Sequence, residues 1–514
     1  MKKLKSFIIL YMCFCLCLSL VSCGENDYFD ESIVYTTVDS VSTFDPQLCK
    51  TPAEISIATN SFEGLMTKDE NGNVVKGMAE SYTVSDDKKT YTFKIREGMM
   101  WSNGETEVSA KDFEFGFERA VLKDTESPYV SSIYCIKNAK KINKGKADMS
   151  TLGVSANGNN LTIVLEKADE GFLETLTYPM CFPCNEEYFY STSGKYGRSN
   201  KYIISNGAYS INYYNTDTKT AIIQRNDDYV GEFGGIPAQI TINYGEKQED
   251  IYSYFEAKEI DIGSVDCSYL ASLSEMGFKS ELYYNTNYCL YMSKKLVSSS
   301  GSDLKRALSL DIDSGSLDKN VSDYYGVVKG IIPSVNMLGG FIYRNEVGDV
   351  KKPEYNPQKA KSLLGNFDNA TDMLNGLYLY YPSENEKLSL ISNLIVQGWQ
   401  KDLNVYINSK PQSEETIVSD VTSGEILIAI IPISSKNNSA ISSYNTLKEY
   451  GIVSEIVIDD SASELFEKEQ SLVDSGVIYP ILSIPNAVAY AENISGFSAT
   501  DDGKIIDFRF IKKD

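Results

Sequence analysis

Alternating apolar and polar residues in the first half of the chain predict β-strands joined by tight turns. The segment KTYTFKIREG (89–98) alternates strictly, and Leu161, Ile163 and Leu165 lie at alternate positions in NLTIVLEK (160–167), just after an Asn157-Gly158 pair. Asn-Gly is a typical hairpin turn sequence. Another hairpin is predicted around the polar stretch NTDTK (215–219), which has alternating apolar residues on both sides. The first half of the chain is therefore predicted to consist mainly of strands and turns.

Helical spacing of apolar residues dominates the second half. In YNPQKAKSLLG (355–365) Asn356 suits a helix N-cap, Pro357 the first helical position and Gly365 the helix end. Two more segments, 304–312 and 388–399, repeat apolar residues every three or four positions. These segments predict three amphipathic helices.

Two apolar patterns between the helices predict strands of an α/β sheet. The short alternating segment NVYIN (404–408) predicts one strand, and the continuous apolar run ILIAIIPI (426–433) predicts a central strand buried on both faces. The chain is thus predicted to join a β-rich first part to an α/β second part. A cleft between two such parts is the ordinary place for a ligand.

The chain has no histidine, which narrows the possible chemistry. Ser-His-Asp and Cys-His catalysis and histidine-containing zinc sites are excluded, and we predict no enzymatic activity, cofactor or metal. A net charge of −23 makes nucleic acid a poor partner.

The N-terminal segment has the pattern of an export signal that ends in a lipid attachment site. Three lysines within the first five residues precede an apolar run at 7–21, too short for a membrane-spanning helix. The sequence LVSC (20–23) resembles the bacterial lipobox, which implies that residues 1–22 are removed and that Cys23 is lipidated. The alternative is a plain secretory leader.

Six further cysteines, an even number, permit up to three disulfides in an exported chain. They are Cys49, Cys135, Cys181, Cys184, Cys267 and Cys289. The C-x-x-C pair, Cys181 and Cys184, has the spacing of thiol oxidoreductases, but a lone motif favours a structural pair or two independent buried thiols. A redox enzyme is the alternative, and it predicts an exposed cysteine of low pKa.

Nine motifs lie along nearly the whole chain. In chain order they are TFDP (43–46), SFEGLMTKDENGNVVKGMAESYTVSDDKKTYTFKIREGMMWSNGE (61–105), SAKDFEFGFERAV (109–121), SNGAYSI (205–211), IIQRNDDYVG (222–231), EIDI (259–262), LKRALSLDID (304–313), YNPQKAKSLL (355–364) and VIYPILSIPNAVAY (477–490). In their order and spacing these motifs resemble the extracytoplasmic solute-binding subunits of ABC importers, in the family of oligopeptide- and dipeptide-binding proteins (family 5). Two segments, SPYVS (127–131) and 145–176, are more similar to the oligopeptide binders than to the dipeptide or nickel binders.

The resemblance implies a two-lobed α/β fold of the periplasmic-binding-protein type (class II-type), with a hinge between the lobes and an extra inserted β-rich domain. The first lobe would combine residues 23–60, 190–285 and 485–514. The inserted domain would be 61–189 and the second α/β lobe 286–484. Closure around a ligand would then be a rigid-body motion of the lobes.

The resemblance also implies where the ligand binds. The expected ligand-binding residues are Lys50, Thr51, Pro52, Glu54, Tyr129, Ile433, Ser434, Ser435 and Lys436.

Two of these positions depart from the peptide-binding members of the family, in which an aspartate in a Trp-x-x-Asp-Tyr context holds the peptide's α-amino group. Here Ile433 stands at the tryptophan position and Lys436 at the aspartate position. Two interpretations stay open. Either Lys436 or neighbouring hydroxyls meet an anionic or neutral ligand group, or the acid comes from elsewhere in the cleft, for example Glu54.

By this resemblance the protein is a lipid-anchored binding subunit at the outer face of the cytoplasmic membrane, most similar to oligopeptide binders. It would capture a peptide or other small solute by lobe closure and deliver it to permease and ATPase subunits. The alternative functions are a divergent binder of a non-peptide or anionic ligand, and a sensory or interaction role without transport.

Overall fold

The computed structural model describes residues 32–169, 171–296, 303–320, 324–338, 341–367, 369–435, 439–454, 461–500 and 503–514. Cys23 and Lys436 lie outside these described residues. The description below refers to the described part of the chain.

A seven-stranded sheet contains the earliest described strand, Ser32–Thr36, which runs parallel to the neighbour on each side. In spatial order the strands are Lys279–Tyr283, Asn486–Tyr490, Ile262–Val265, Ser32–Thr36, Gln239–Asn243, Thr220–Arg225 and Tyr209–Asn215. The last two pair antiparallel, which confirms the hairpin predicted around NTDTK. The helices around this sheet are Pro52–Ser61, Gln248–Glu256 and Leu270–Glu275.

A separate four-stranded antiparallel sheet is formed by residues that lie in sequence between Ser32–Thr36 and Tyr209–Asn215. Its strands, in spatial order, are Ala79–Val84, Thr90–Ile95, Asn160–Val164 and Val154–Asn157. The alternation in 89–98 and 160–167 therefore predicted strands correctly, and the buried face carries Phe93, Leu161 and Ile163. The accompanying helices are Ala110–Val121, Ala139–Asn143, Phe172–Thr175 and Glu186–Ser191.

A mixed six-stranded sheet forms the other half of the molecule. Its spatial order is Gly326–Val327, Ile478–Ser483, Thr286–Met292, Ile428–Ser434, Tyr378–Pro382 and Asn408–Gln412. The last three strands are parallel to one another. The surrounding helices are Asp303–Leu310, Ser314–Lys319, Tyr343–Val347, Pro357–Leu364, Ala370–Leu374, Glu386–Leu403, Glu414–Ser423, Ala440–Glu449 and Ala462–Asp474.

The three predicted helices and the buried central strand are confirmed in this half, and one predicted strand is wrong. Ile428–Ser434 is buried along all but its last residue. The strand expected at 404–408 instead begins at Asn408 and runs to Gln412. Val405 and Ile407 are buried in the core against the helix Glu386–Leu403, so their alternation reflects packing of a loop.

Short two-stranded pairs complete the described strands. They are Met66–Lys68 with Val74–Lys76, Met337–Leu338 with Phe341–Ile342, Ile494–Ser495 with Lys512–Lys513, and Ser498–Ala499 with Ile506–Asp507.

Two short links join the seven-stranded and six-stranded sheets. Residues 284–285 connect Lys279–Tyr283 to Thr286–Met292, and residues 484–485 connect Ile478–Ser483 to Asn486–Tyr490. Within the first link, the Asn285 side chain donates a hydrogen bond to the Ser435 carbonyl at 3.2 Å. Two adjacent crossovers are what a hinge between two lobes requires.

The buried carboxyl group of Asp311 should make the free energy of unfolding depend on pH. This carboxyl group is 2 % exposed, and neither of its oxygens has a hydrogen-bond partner among the described residues. Burial, together with repulsion from Asp402, raises its pKa to about 7. Between about pH 4 and pH 7 the folded state therefore keeps a proton on Asp311 that the unfolded state has released. The stabilising contribution of this bound proton is full below pH 4 and is lost as pH rises through 7.

Asp311→Asn should remove this part of the pH dependence. The measurement is the free energy of unfolding in urea between pH 5 and pH 8, for the wild type and for two variants. We expect a smaller decline across this range for Asp311→Asn, and a wild-type decline for the exposed control Asp228→Asn. Equal declines in all three proteins would show that Asp311 ionises normally in the folded state.

Candidate functional site

The candidate site lies at one edge of the six-stranded sheet. The parallel strands Tyr378–Pro382, Asn408–Gln412 and Ile428–Ser434 all end at this edge. Ser434 pairs there with Thr286, the residue that follows the first link between the sheets. Ligands of open α/β sheets bind beyond the carboxyl ends of parallel strands, so this edge is where chemistry is expected.

Carboxylates follow two of these strand ends. Glu384 comes shortly after the first strand, and Glu414 opens the helix that follows the second. The Glu414 backbone N–H donates to Oε1 of Glu384 at 3.1 Å, and the Tyr288 hydroxyl donates to Oε2 of Glu414 at 2.8 Å. Ser413 caps the same helix through its hydroxyl, which accepts from the Thr416 N–H. Glu414 is therefore held in a defined position at the strand edge.

A cavity of about 340 Å³ opens at this edge between the two sheets. Tyr288, Glu414, Glu415 and Ser434 line it from the six-stranded side, and Lys504 lines it from the C-terminal segment. That segment is attached to the first half of the molecule, where the Ile506 N–H donates to the Ser56 hydroxyl at 2.9 Å. The cavity thus has walls from both halves of the protein.

The electrostatics of this cavity centre on Glu414. Burial raises the pKa of its carboxyl group, the Tyr288 hydrogen bond and the positive charge of Lys504 lower it, and Glu384 raises it. Burial and the neighbouring Glu414 raise the pKa of Tyr288 well above its usual value, so its hydroxyl stays a donor. A cation entering the cavity would stabilise the ionised form of Glu414.

Four predicted residues lie together at the start of the helix Pro52–Ser61. Thr51 caps this helix, Pro52 is its first residue, and the Tyr129 hydroxyl donates to the Lys50 carbonyl at 2.9 Å. Tyr129 and Ile505 pack against the same small buried cluster. The segment that carries Lys504 therefore adjoins the predicted residues of the first half.

Glu54 is not placed at the cleft surface, which corrects its expected role. Its side chain is 1 % exposed, and its carboxylate accepts four hydrogen bonds within a local turn. The donors are the Ser42 N–H and hydroxyl at 2.8 and 2.6 Å, and the N–H groups of Lys50 and Thr51 at 2.9 and 3.1 Å. Glu54 forms a capping box with Thr51 and stabilises the helix start.

The predicted residues at the end of the central strand separate into two groups. Ile433 is fully buried in the core beneath the helix Ala440–Glu449, so the expectation that it contacts ligand is corrected. Ser434 lines the cavity, whereas Ser435 is buried and its hydroxyl accepts from the Ser439 N–H at 2.8 Å. Lys436 lies outside the described residues.

The C-x-x-C motif has a structural environment. Cys181 and Cys184 are both buried free thiols, and burial raises the pKa of Cys184 to about 12. Burial likewise raises the pKa of Cys181. A redox dithiol needs an accessible thiolate, so the structure agrees with two buried thiols and contradicts the redox-enzyme alternative.

Sequence reasoning missed Tyr288, Glu414 and Lys504. The available signal was the acidic pair that begins two residues after the end of the strand Asn408–Gln412, in the sequence QSEE (412–415). That signal depends on knowing that this strand is parallel to its neighbours.

The family follows from the comparison with known sequences. Residues 73–453 match the family described as "Bacterial extracellular solute-binding proteins, family 5 Middle". The chain belongs to this family. Family 5 members are extracytoplasmic binding proteins and not enzymes, which confirms the prediction that the chain is not an enzyme.

The relatives include named peptide-binding proteins. A dipeptide-binding protein of Lactococcus lactis is 29% identical over 191 residues, which cover 37% of this chain and 34% of that protein. The periplasmic oligopeptide-binding protein OppA of Salmonella typhimurium is 23% identical over 507 residues, covering 92% of this chain and 90% of that protein. The chain thus spans about a third of the first relative and nearly all of the second.

Solved structures confirm the predicted two-lobed α/β fold. Listeria monocytogenes OppA, solved with a bound peptide, superposes with a TM-score of 0.75 at 19% identity, covering 94% of this chain and 99% of that one.

Within the described residues, no helix is both long enough and apolar enough to span a membrane.

Proposed function

We propose that this family 5 protein is the lipid-anchored, extracellular solute-binding subunit of an ABC importer for oligopeptides. It would capture a peptide between its lobes and deliver it to permease and ATPase subunits at the outer face of the cytoplasmic membrane. The observation that carries the proposal is the cavity at the carboxyl ends of the parallel strands, which has walls from both halves of the protein.

Lobe closure would use the two links, residues 284–285 and 484–485. In this proposal the first lobe comprises 23–60, 190–285 and 485–514, the inserted domain 61–189 and the second lobe 286–484. Because only two short connections join the lobes, a ligand that contacts both lobes would favour the closed state by its differential affinity.

Lys50, Thr51, Pro52, Tyr129 and Ser434 are proposed to contact ligand. Tyr129 offers an aromatic wall with a polar tip, and the N-terminus of the helix Pro52–Ser61 lies beside it. Lys436, which follows Ser435 directly in sequence, stays a proposed cleft residue.

Thermal unfolding with a ligand panel tests this function. The purified full-length protein in mild detergent is heated with pools of random pentapeptides, free amino acids or short sugars. A peptide present at 100 times its Kd stabilises the folded state by about 2.7 kcal/mol, so the midpoint should rise with the peptide pool alone. A rise only with amino acids or sugars would replace the peptide proposal by a divergent solute binder.

Lipid attachment at Cys23 has a separate test. Cys23→Ser should move the protein from the membrane fraction to the soluble fraction of the producing cells, because the thiol that carries the lipid is removed. Cys17→Ser, in the leader, should leave the protein in the membrane fraction. Equal membrane association of both variants would mean that Cys23 is not the anchor.

A further inference from the structure

A chain of buried hydrogen bonds connects the first link between the sheets to the end of the central strand. The Asn285 side chain, in that link, donates to the Ser435 carbonyl at 3.2 Å and accepts from the Asn336 side chain at 2.6 Å. Asn336 in turn accepts from the Ser443 hydroxyl at 2.5 Å. We call these four residues the link network.

Water has almost no access to the link network, since none of its members is more than 6 % exposed. A buried polar group that loses its partner has no water to replace it, so each of these hydrogen bonds is costly to break. The bonds run in one direction, from Ser443 through Asn336 and Asn285 to Ser435, and hydrogen bonds in such a chain strengthen one another. The network therefore favours one arrangement of the segments that carry it.

The link network reaches the wall of the inter-lobe cavity. Ser435 directly follows Ser434, which lines the cavity. The Ser434 carbonyl also accepts from the Thr446 hydroxyl at 3.0 Å, in the same helix as Ser443. The strand end and this helix are thus held together, and Asn285 is bonded to the strand end directly and to the helix through Asn336. A shift of the cavity wall would strain the hydrogen bonds at the link.

We propose that Asn285 and Asn336 are positioning residues that couple the cavity wall to the hinge. The proposal rests on the function proposed above and adds how occupancy of the cavity would reach the links. Opening or closing of the lobes changes the backbone torsions of the link, and the Asn285 side chain follows them. Because this side chain holds the Ser435 carbonyl, a ligand that fixes the strand end also favours one conformation of the link. The coupling acts equally in both directions.

Asn287 is a matched control for Asn285. It lies two residues further on and is equally buried, at 2 % exposure. Its side chain also makes two hydrogen bonds, which it donates to the Gly330 and Ile331 carbonyls at 3.0 and 3.3 Å. Neither acceptor belongs to the strand end or to the helix Ala440–Glu449. Loss of the Asn287 side chain should therefore lower the stability of the fold and leave the coupling intact.

Hydrogen–deuterium exchange of the peptide-free protein tests the coupling without any ligand. Amide exchange at 434–435 and 439–446 is compared among the wild type, Asn285→Ala and Asn287→Ala. We expect Asn285→Ala to speed exchange at these positions by about tenfold, as when a buried group is left without its hydrogen-bond partner. Asn287→Ala should exchange there as the wild type does.

Binding of the random pentapeptide pool tests whether the coupling contributes to ligand capture. Apparent Kd values are measured by calorimetry. Asn285→Ala and Asn336→Ala should each weaken binding by about tenfold, the effect of one buried hydrogen bond. The double variant should bind no more weakly than the weaker single variant, because both substitutions remove the same bond. Asn287→Ala should keep the wild-type Kd, although its thermal unfolding midpoint falls as that of Asn285→Ala does.

Two results overturn the proposal: wild-type exchange at 434–435 and 439–446 in Asn285→Ala, or an equal loss of affinity in Asn285→Ala and Asn287→Ala. If the wild type does not bind the pool, the proposed peptide function fails, and the exchange comparison alone decides the coupling. If Asn285→Ala does not fold, Ser443→Ala replaces it in both measurements, because it removes only the hydroxyl at the far end of the network. It should change exchange and Kd in the same direction, and wild-type values would again overturn the proposal.

Discussion

Replacement of Arg344 by methionine is expected to lower the free energy of unfolding by about 3–5 kcal/mol, the usual cost of leaving one member of a buried ion pair behind. Arg344 donates to Oε1 of Glu469 at 2.7 Å, and the Glu469 side chain is fully buried. The Ile332 N–H and the Tyr343 hydroxyl also donate to this carboxylate, at 3.0 and 3.2 Å. Without the guanidinium, the negative charge keeps these hydrogen bonds but has no ion-pair partner in the part of the chain that the structure describes.

The two tryptophans make this loss measurable in one half of the protein. Trp399 lies in the helix Glu386–Leu403, beside the six-stranded sheet, and Trp101 lies in the core of the other half. A Trp101→Phe background restricts the fluorescence to Trp399 during urea unfolding. The double variant Arg344→Met with Glu469→Gln should recover part of the loss, because no charge is left buried. A single-variant cost below about 1 kcal/mol, the range of exposed ion pairs, would contradict the argument.

Replacement of Arg119 by methionine should have a similar effect on the other half, about 3–5 kcal/mol. Its guanidinium binds both carboxylate oxygens of Asp45, at 3.1 and 2.5 Å, and lies 4.2 Å from the centre of the Phe189 ring. Asp45, in the TFDP segment, is 1 % exposed, so the charge left behind has little access to water. This pair ties the N-terminal segment to the helix Ala110–Val121.

The Arg119 prediction has two matched comparisons. Arg119→Lys should restore little, since an ammonium cannot reproduce the two parallel hydrogen bonds to Asp45. Lys94→Met breaks the exposed pair with Glu80, and it should leave the unfolding curve nearly unchanged. Unfolding is followed by Trp101 fluorescence in a Trp399→Phe background. If Arg119→Met has the same free energy of unfolding as the wild type, the ion pair between Arg119 and Asp45 does not stabilise the protein.

Local sequence signals predicted the elements whose residues interact with near neighbours in the chain. Asn356 and Pro357 indicated a helix start, and the helix begins there, with the Asn356 side chain accepting from the Lys359 N–H. The run ending at Ile433 is apolar on both faces because helices cover both faces of its strand. The T-x-x-E sequence at 51–54 was an equally local signal, because it is typical of a capping box. The capping box accounts for the presence of a glutamate at position 54 without any contact to a ligand.

Signals that depend on distant pairing were not available from the sequence. The strand Asn408–Gln412 is polar and lies at the sheet edge, so it has no alternation to reveal it. Its parallel pairing with Tyr378–Pro382 is what brings Glu384 and Glu414 together, although 30 positions separate them. Lys504 joins them through the tertiary packing of the C-terminal segment. The cavity therefore follows from topology and not from a motif.

Hydrogen–deuterium exchange with and without the random pentapeptide pool tests most directly the claim that peptide binds between the lobes. The account predicts slower amide exchange at residues 384–386, 413–415 and 434–435, and in the segment 503–506, when peptide is present at saturation. Exchange on the outer face of the four-stranded sheet, for example at 79–84, should stay the same. Protection confined to a surface away from these segments, under conditions in which the pool binds, would contradict capture in the inter-lobe cavity.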